Sequence, residues 1–191
     1  MMKKSYLLIS LLLGACVSTP SVYQDYNRSL SFSSYKTFSW AHNPPLVVSG
    51  DLPVSKGTEV KATQAIKDEL QAKGFKFVDS SEGATFLVAY TLGARSNAKI
   101  YQTGSSVYDN KENWLWGKQY HSYYFDMVVD EDFRGAYTKG VIAIDIFDTE
   151  LKAPVWHGKA SKSLDESEIS PDGGSVVEAV KAVLSNFPPK H

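Results

Sequence analysis

Apolar and polar positions change their period several times along this chain. VYQDYN (22–27) and YKTFSWA (35–41) are short runs rich in aromatic and β-branched residues, which predicts strands. His42-Asn43-Pro44-Pro45 stops the second run, because proline cannot donate to a ladder. Residues 44–57, with their Pro, Gly and Ser, are expected as a loop. In TEVKATQAIKDELQAKG (58–74), Val60, Thr63, Ile66 and Leu70 recur three and four apart, which predicts a helix with these residues on one face. Gly74 suits a left-handed stop at its end. FKFV (75–78) reads as a short strand. ATFLVAYTL (84–92) is apolar in both alternating sets, as expected of a strand inside a sheet covered on both faces. YTKGVIAIDIFD (137–148) is the strongest strand pattern. VWHGKASKSL (155–164) follows it after a turn around Thr149 to Pro154, so the two are expected to pair as a hairpin. Residues 173–187 predict a second helix, with Val176, Val177, Val180, Val183, Leu184 and Phe187 on one face and Pro188-Pro189 as its stop.

The order is strand, strand, helix, strand, strand, long irregular stretch, strand, strand, helix. It predicts one α+β domain over residues 22–189, with a mostly antiparallel or mixed sheet of about six strands and two helices packed on one face. The irregular stretch, at about 95–136, holds Tyr101, Tyr108, Trp114, Trp116, Tyr120, Tyr123 and Tyr124, then the acids Asp126, Asp130, Glu131 and Asp132. Tyrosine and tryptophan combine a large contact area with a polar tip. Two readings of these rings stand side by side: a binding surface, or a cover that packs over one side of the sheet.

The amino terminus carries a different pattern. Lys3 and Lys4 precede an apolar run from Leu7 to Leu13, followed by the small residues Gly14 and Ala15, which is the layout of a secretory signal over residues 1–15. As a helix, residues 6–16 would span ~16 Å against a bilayer core of ~30 Å, too short for a membrane span. Leu13-Gly14-Ala15-Cys16 resembles the lipobox of bacterial lipoproteins, in which the cysteine thiol takes a diacylglyceryl group and the new amino group is acylated after cleavage. Cys16 is the only cysteine in the 191 residues, and a small polar stretch, Ser18-Thr19-Pro20-Ser21, follows it. The plainer alternative is a secretory signal with an incidental cysteine. On the lipoprotein reading, residues 16–21 are a lipidated tether and the membrane is a partner through lipid at Cys16. Several acyl chains anchor stably where one does not. Lipoproteins kept at the inner membrane often carry Asp after the cysteine. Val17 therefore points to the outer membrane, in its inner leaflet and facing the periplasm. A lipidated Cys16 leaves no thiol for a disulfide or a zinc–thiolate site.

Charge and candidate chemistry narrow the function classes. The formal net charge is −1, and removal of residues 1–15 takes away two lysines and no acid, bringing it to −3. No clustered basic face marks a nucleic-acid binder. The histidines at 42, 121, 157 and 191 are not at ligand spacing with one another or with an acid, so no metal and no cofactor is expected. There is no G-x-S-x-G elbow, and Ser175 after Gly173-Gly174 reads as a helix cap rather than a nucleophile. Asp145 and Asp148 stand three apart in a strand, hence on opposite faces. Asp145, among Val141, Ala143 and Phe147, calls for a hydrogen-bond partner from the adjoining hairpin strand. Asp130-Glu131-Asp132 lacks the alternating oxygens and glycine of a calcium loop.

Several segments together resemble family 4136 of domains of unknown function, a group of bacterial envelope lipoproteins. They are Asp25-Tyr26-Asn27 with Phe32 to Trp40, Glu69 to Phe75, Gly140 to Asp148, Val155 to Ala160, and Phe187-Pro188-Pro189. The resemblance implies an α+β envelope domain with no established activity and no catalytic residues. Ala84-Thr85 departs from the Ala-Asp common in that family. The expected function is a non-enzymatic binding or assembly module for an envelope protein or polymer, with the seven aromatic residues above as candidate contacts. The rival is a hydrolase of cell-wall glycan or a related polymer, which requires two carboxyls about 5–9.5 Å apart. A purely structural envelope protein is the third reading.

Overall fold

The computed structural model describes residues 19–42, 46–50, 54–95, 138–164 and 174–189. The strongest strand pattern and its successor pair as their sequences require. β6 (Thr138–Asp148) and β7 (Ala153–Leu164) form an antiparallel hairpin. Asp148 builds the turn: its Oδ1 accepts the amides of Glu150 and Leu151 at 2.8 and 2.7 Å, a side-chain mimic of a backbone turn. β1 (Ser21–Tyr26) lies antiparallel on the outer side of β7, and β5 (Phe86–Arg95) lies antiparallel beside β6. β2 (Thr37–Trp40) and β3 (Leu46–Gly50) follow one another along the far side of β5, both parallel to it, and β4 (Lys76–Phe77) is parallel to β2. The described residues thus form a mixed seven-stranded sheet in the order β1-β7-β6-β5-β2-β4, with β3 paired to β5. Two described helices, α1 (Lys56–Ala72) and α2 (Gly174–Leu184), pack on one face of it, and the class is α+β as expected. Parallel neighbours need a crossover, and α1 supplies it between β3 and β5.

Four local expectations are corrected. Residues 46–50 are a strand, not part of a loop over 44–57: Leu46 to Gly50 pair with Tyr90 to Ala94. An apolar run this short has no readable period. The first helix starts at Lys56, because Ser55 Oγ accepts the Thr58 amide at 3.0 Å and caps it. Val60 is 57 % exposed, and the buried stripe is Ala62, Ala65, Ile66 and Leu70. Likewise Ser175 lies inside the first turn of α2 rather than capping it. The stop at Gly74 stands as read, with φ of 93°. The amides of Gly74 and Phe75 reach the carbonyls of Gln71 and Leu70 at 2.9 and 3.1 Å, the pairing of a left-handed helix end.

The core lies between the helices and one face of the sheet. Phe38, Phe86, Val88, Tyr90, Ile142, Ile144, Ile146 and Trp156 from the strands meet Ile66, Leu70, Val180, Val183 and Leu184 from the helices. Phe32, Phe75, Phe86 and Phe187 close the end of the sheet nearest the β6–β7 turn, with ring centroids 5.2–5.8 Å apart. Phe75 follows α1 and Phe187 follows α2, so both helices run toward this closed end.

The connections divide between the two ends of the sheet, and the longest lies at the open one. At the closed end the chain turns back within 27–36, 73–75, 78–85 and 149–152. At the opposite end lie Ser21, Gly50, Arg95, Thr138 and Leu164. Ser21 is level with Ser161 and Val141, and Gly50 pairs Ala94 one rung before Arg95. The connections 51–55, 96–137 and 165–173 all depart from this open end.

Candidate functional site

The face of the sheet away from the helices carries a row of polar residues. Asp25 on β1, His157 on β7 and Asp145 on β6 occupy one rung, continued by Ala89 on β5. His157 and Asp145 are joined, Nδ1 to Oδ1, at 2.7 Å, with side chains 5 % and 0 % exposed. This is the partner from the adjoining strand that Asp145 was expected to need. Ala89, Thr91, Val141 and Ala143 around the pair are also buried. The Tyr23 ring stands 6.3 Å from the His157 ring, and Asp25 Oδ1 accepts the Tyr26 amide at 2.9 Å. Lys159, opposite Tyr23 on the same face, has its ammonium pKa lowered by partial desolvation.

Asp148 is committed elsewhere. Its Oδ2 accepts the Tyr35 hydroxyl at 2.7 Å, while Oδ1 holds the hairpin turn. Burial, followed by this bond, pushes the Tyr35 pKa well above its ordinary value. Burial also raises that of Tyr90, against the opposing effect of its 2.7 Å bond to Thr63. The two strand carboxyls therefore act in separate places, each holding a neighbour. Among the described residues no three His, Cys, Asp or Glu side chains gather as a metal-holding group.

Cys16 and the seven aromatic candidates, Tyr101, Tyr108, Trp114, Trp116, Tyr120, Tyr123 and Tyr124, lie outside the described residues, as do His121, His191 and Asp126 to Asp132. Their segment is bounded by Arg95 and Thr138, and Arg95 pairs with Lys139, so it departs and returns at the open end. Sequence reasoning missed two stitches. One is the Tyr35–Asp148 bond. The other joins Thr85 and Thr37: Thr85 Oγ1 accepts the amides of Lys36 and Thr37, both at 3.0 Å, and donates to the Thr37 carbonyl at 2.8 Å. No period reports bonds between residues so far apart in sequence.

The profile of a family described as a domain of unknown function, DUF4136, matches residues 22–189. The chain belongs to the DUF4136 family. A crystal structure of a DUF4136 protein from Bacteroides thetaiotaomicron is similar over 90% of this chain and 97% of that one, at 17% identity and a TM-score of 0.53. A PDZ domain protein from Parabacteroides distasonis is similar over 91% of this chain and 38% of its own, at 13% identity and a TM-score of 0.50. The PelC dodecamer from Paraburkholderia phytofirmans aligns over 91% of this chain and 100% of its own, at 12% identity and a TM-score of 0.44. The first two likenesses show the fold alone, and no curated protein matches the sequence.

The motifs that carried the DUF4136 resemblance have physical roles here. In Val155-Trp156-His157-Gly158, Trp156 faces the helices and His157 the opposite side. Gly158 leaves room for the indole, since a Cβ there would run into Trp156 and stand 2.7 Å from Val183. Thr85, the departure noted in the sequence, uses its hydroxyl both to accept two amides and to donate to the Thr37 carbonyl.

Proposed function

We propose that this protein is a bacterial envelope lipoprotein, anchored through lipid on Cys16 in the inner leaflet of the outer membrane, whose periplasm-facing domain is a non-enzymatic binding or assembly module. The placement of its longest connection carries the reading. An aromatic core closes one end of the sheet, while the long aromatic-rich segment departs from and returns to the other. Loops on a rigid scaffold are where binding residues concentrate. Further support comes from the lipobox, and from the engagement of Asp145 and Asp148 in separate structural bonds.

The test is crosslinking in intact cells, capture of the lipidated protein and mass spectrometry. A reproducible envelope partner is expected, and its yield should fall in the double variant Trp114→Ala, Trp116→Ala with unchanged protein level. Undiminished recovery from that variant would rule out the aromatic segment as the contact.

A further inference from the structure

We infer that the outer edge of β1 pairs with the same edge of a second copy of this chain, antiparallel about a two-fold axis at Tyr23, so that the two sheets run on as one. The pairing uses none of the aromatic segment and does not depend on lipid at Cys16. The hydrogen-bond alternation of β1 shows which groups are available. One step beyond the Tyr26–Trp156 pair, the Asn27 amide donates to the Val155 carbonyl at 2.9 Å. Backbone groups alternate in direction along a strand. Asp25, Tyr23 and Ser21 therefore turn theirs toward β7, and Val22, Gln24 and Tyr26 turn theirs outward. The outward amide of Tyr26 is held by Asp25 Oδ1 at 2.9 Å. The amides and carbonyls of Val22 and Gln24 have no hydrogen-bond partner among the described residues, and both residues are exposed.

Edge strands are commonly blunted by shortness, lysine, proline or a bulge. The far end of the sheet path is blunted by the first two: β4 is two residues long and carries exposed Lys76. β1 has none of these. Its six residues hold an unbroken register with β7, and Val22 and Tyr23 are 37 % and 44 % exposed. What fits this edge is the edge itself. Centred on Tyr23, self-pairing sets Val22 opposite Gln24 of the second copy in both directions, and each outward amide meets an outward carbonyl. Centred on Val22, it would leave the Gln24 carbonyl facing Pro20, which has no N–H. Centred on Gln24, it would leave the Val22 carbonyl facing the Tyr26 amide that Asp25 already holds. The Tyr23 register places tyrosine against tyrosine, with Cβ atoms about 4.5–5.5 Å apart, and Asp25 against Ser21 rather than against another acid.

The test places photoreactive p-benzoylphenylalanine at position 23 or at position 151 of the full chain, in the cells that make it. Leu151, exposed at the β6–β7 turn, is the remote reference. Irradiation is expected to give a dimer of this chain from position 23, severalfold above that from position 151, with the crosslink mapping to residues 21–25 of the second copy. Equal yields, no dimer, or a product with an unrelated chain at position 23 overturn the inference. Exposed substitutions read the register. Ser21→Asp sets an acid against Asp25 of the other copy and should lower the yield severalfold, whereas Ser21→Lys sets a base there and should not. Gln24→Pro removes an outward amide and leaves the β7 ladder alone, so it should lower the yield with the thermal midpoint near the parent's. Equal yields from the two Ser21 variants, or an unchanged yield from folded Gln24→Pro, mean that the strands do not pair in this way. If Gln24→Pro fails to fold, the Ser21 variants decide.

Discussion

The His157–Asp145 bond is the most buried polar contact among the described residues, and its energetics follow from that burial. Removing one partner from such a pair costs more than the pair contributes net, because the remaining group is left desolvated. Asp145→Ala is expected to destabilise the domain by roughly 3 kcal/mol, and the double variant Asp145→Ala, His157→Ala by clearly less than the sum of the singles. Urea unfolding of the four proteins measures this coupling, and additive effects would mean that the two side chains do not depend on each other. Tyr35 gives a second residue-scale outcome, this one in pH. Its folded pKa lies above the unfolded value of about 10, so its contribution is present below that pH and is lost as pH rises past it, when the unfolded chain releases a proton that the folded chain keeps. Tyr35→Phe should lower stability by about 1–3 kcal/mol near neutrality and flatten the decline above pH 10, read from denaturant midpoints across pH 8–11.

At the scale of elements, the packing of α2 on the hairpin turns on Gly158. Gly158→Ala would push the Trp156 indole into Val183, and overpacking of this kind costs about 1–3 kcal/mol, to be measured as a fall in thermal midpoint together with altered tryptophan fluorescence. Elements with a long apolar run or a clear helical period were legible from sequence: β5, the β6–β7 hairpin and both helices. What was not legible has a common cause. β3 exists through its pairing with β5, the helix start depends on a cap at Ser55, and Val60 fits the period yet faces water because the helix turns its Ala62–Ile66–Leu70 stripe inward. Each is decided by geometry beyond the local pattern. Of the candidate site, the partner for Asp145 was foreseen from a charge placed among apolar neighbours. Asp25, on the same rung in the strand beyond His157, carried no signal, because cross-strand register is not written in either strand alone.

At the scale of the whole molecule, the described residues share one core and one sheet ladder. With a single cysteine in the chain no intramolecular disulfide can form, so the thermal midpoint should be unchanged by a reductant, and a shift in the monomer would contradict this reading of the fold. The sheet also sets an order of events. Its first strand, β1, pairs with its last, β7: Ser21 meets Ser161, about 140 positions further along the chain. During synthesis, the first described strand of the sheet must wait for the last before it has a ladder to join. A chain halted before residue 153 would leave both β1 and β6 as open strand edges, the features that invite aggregation. Completion of this fold is therefore also a test of completeness, and a truncated copy exposes itself to whatever quality control surrounds it.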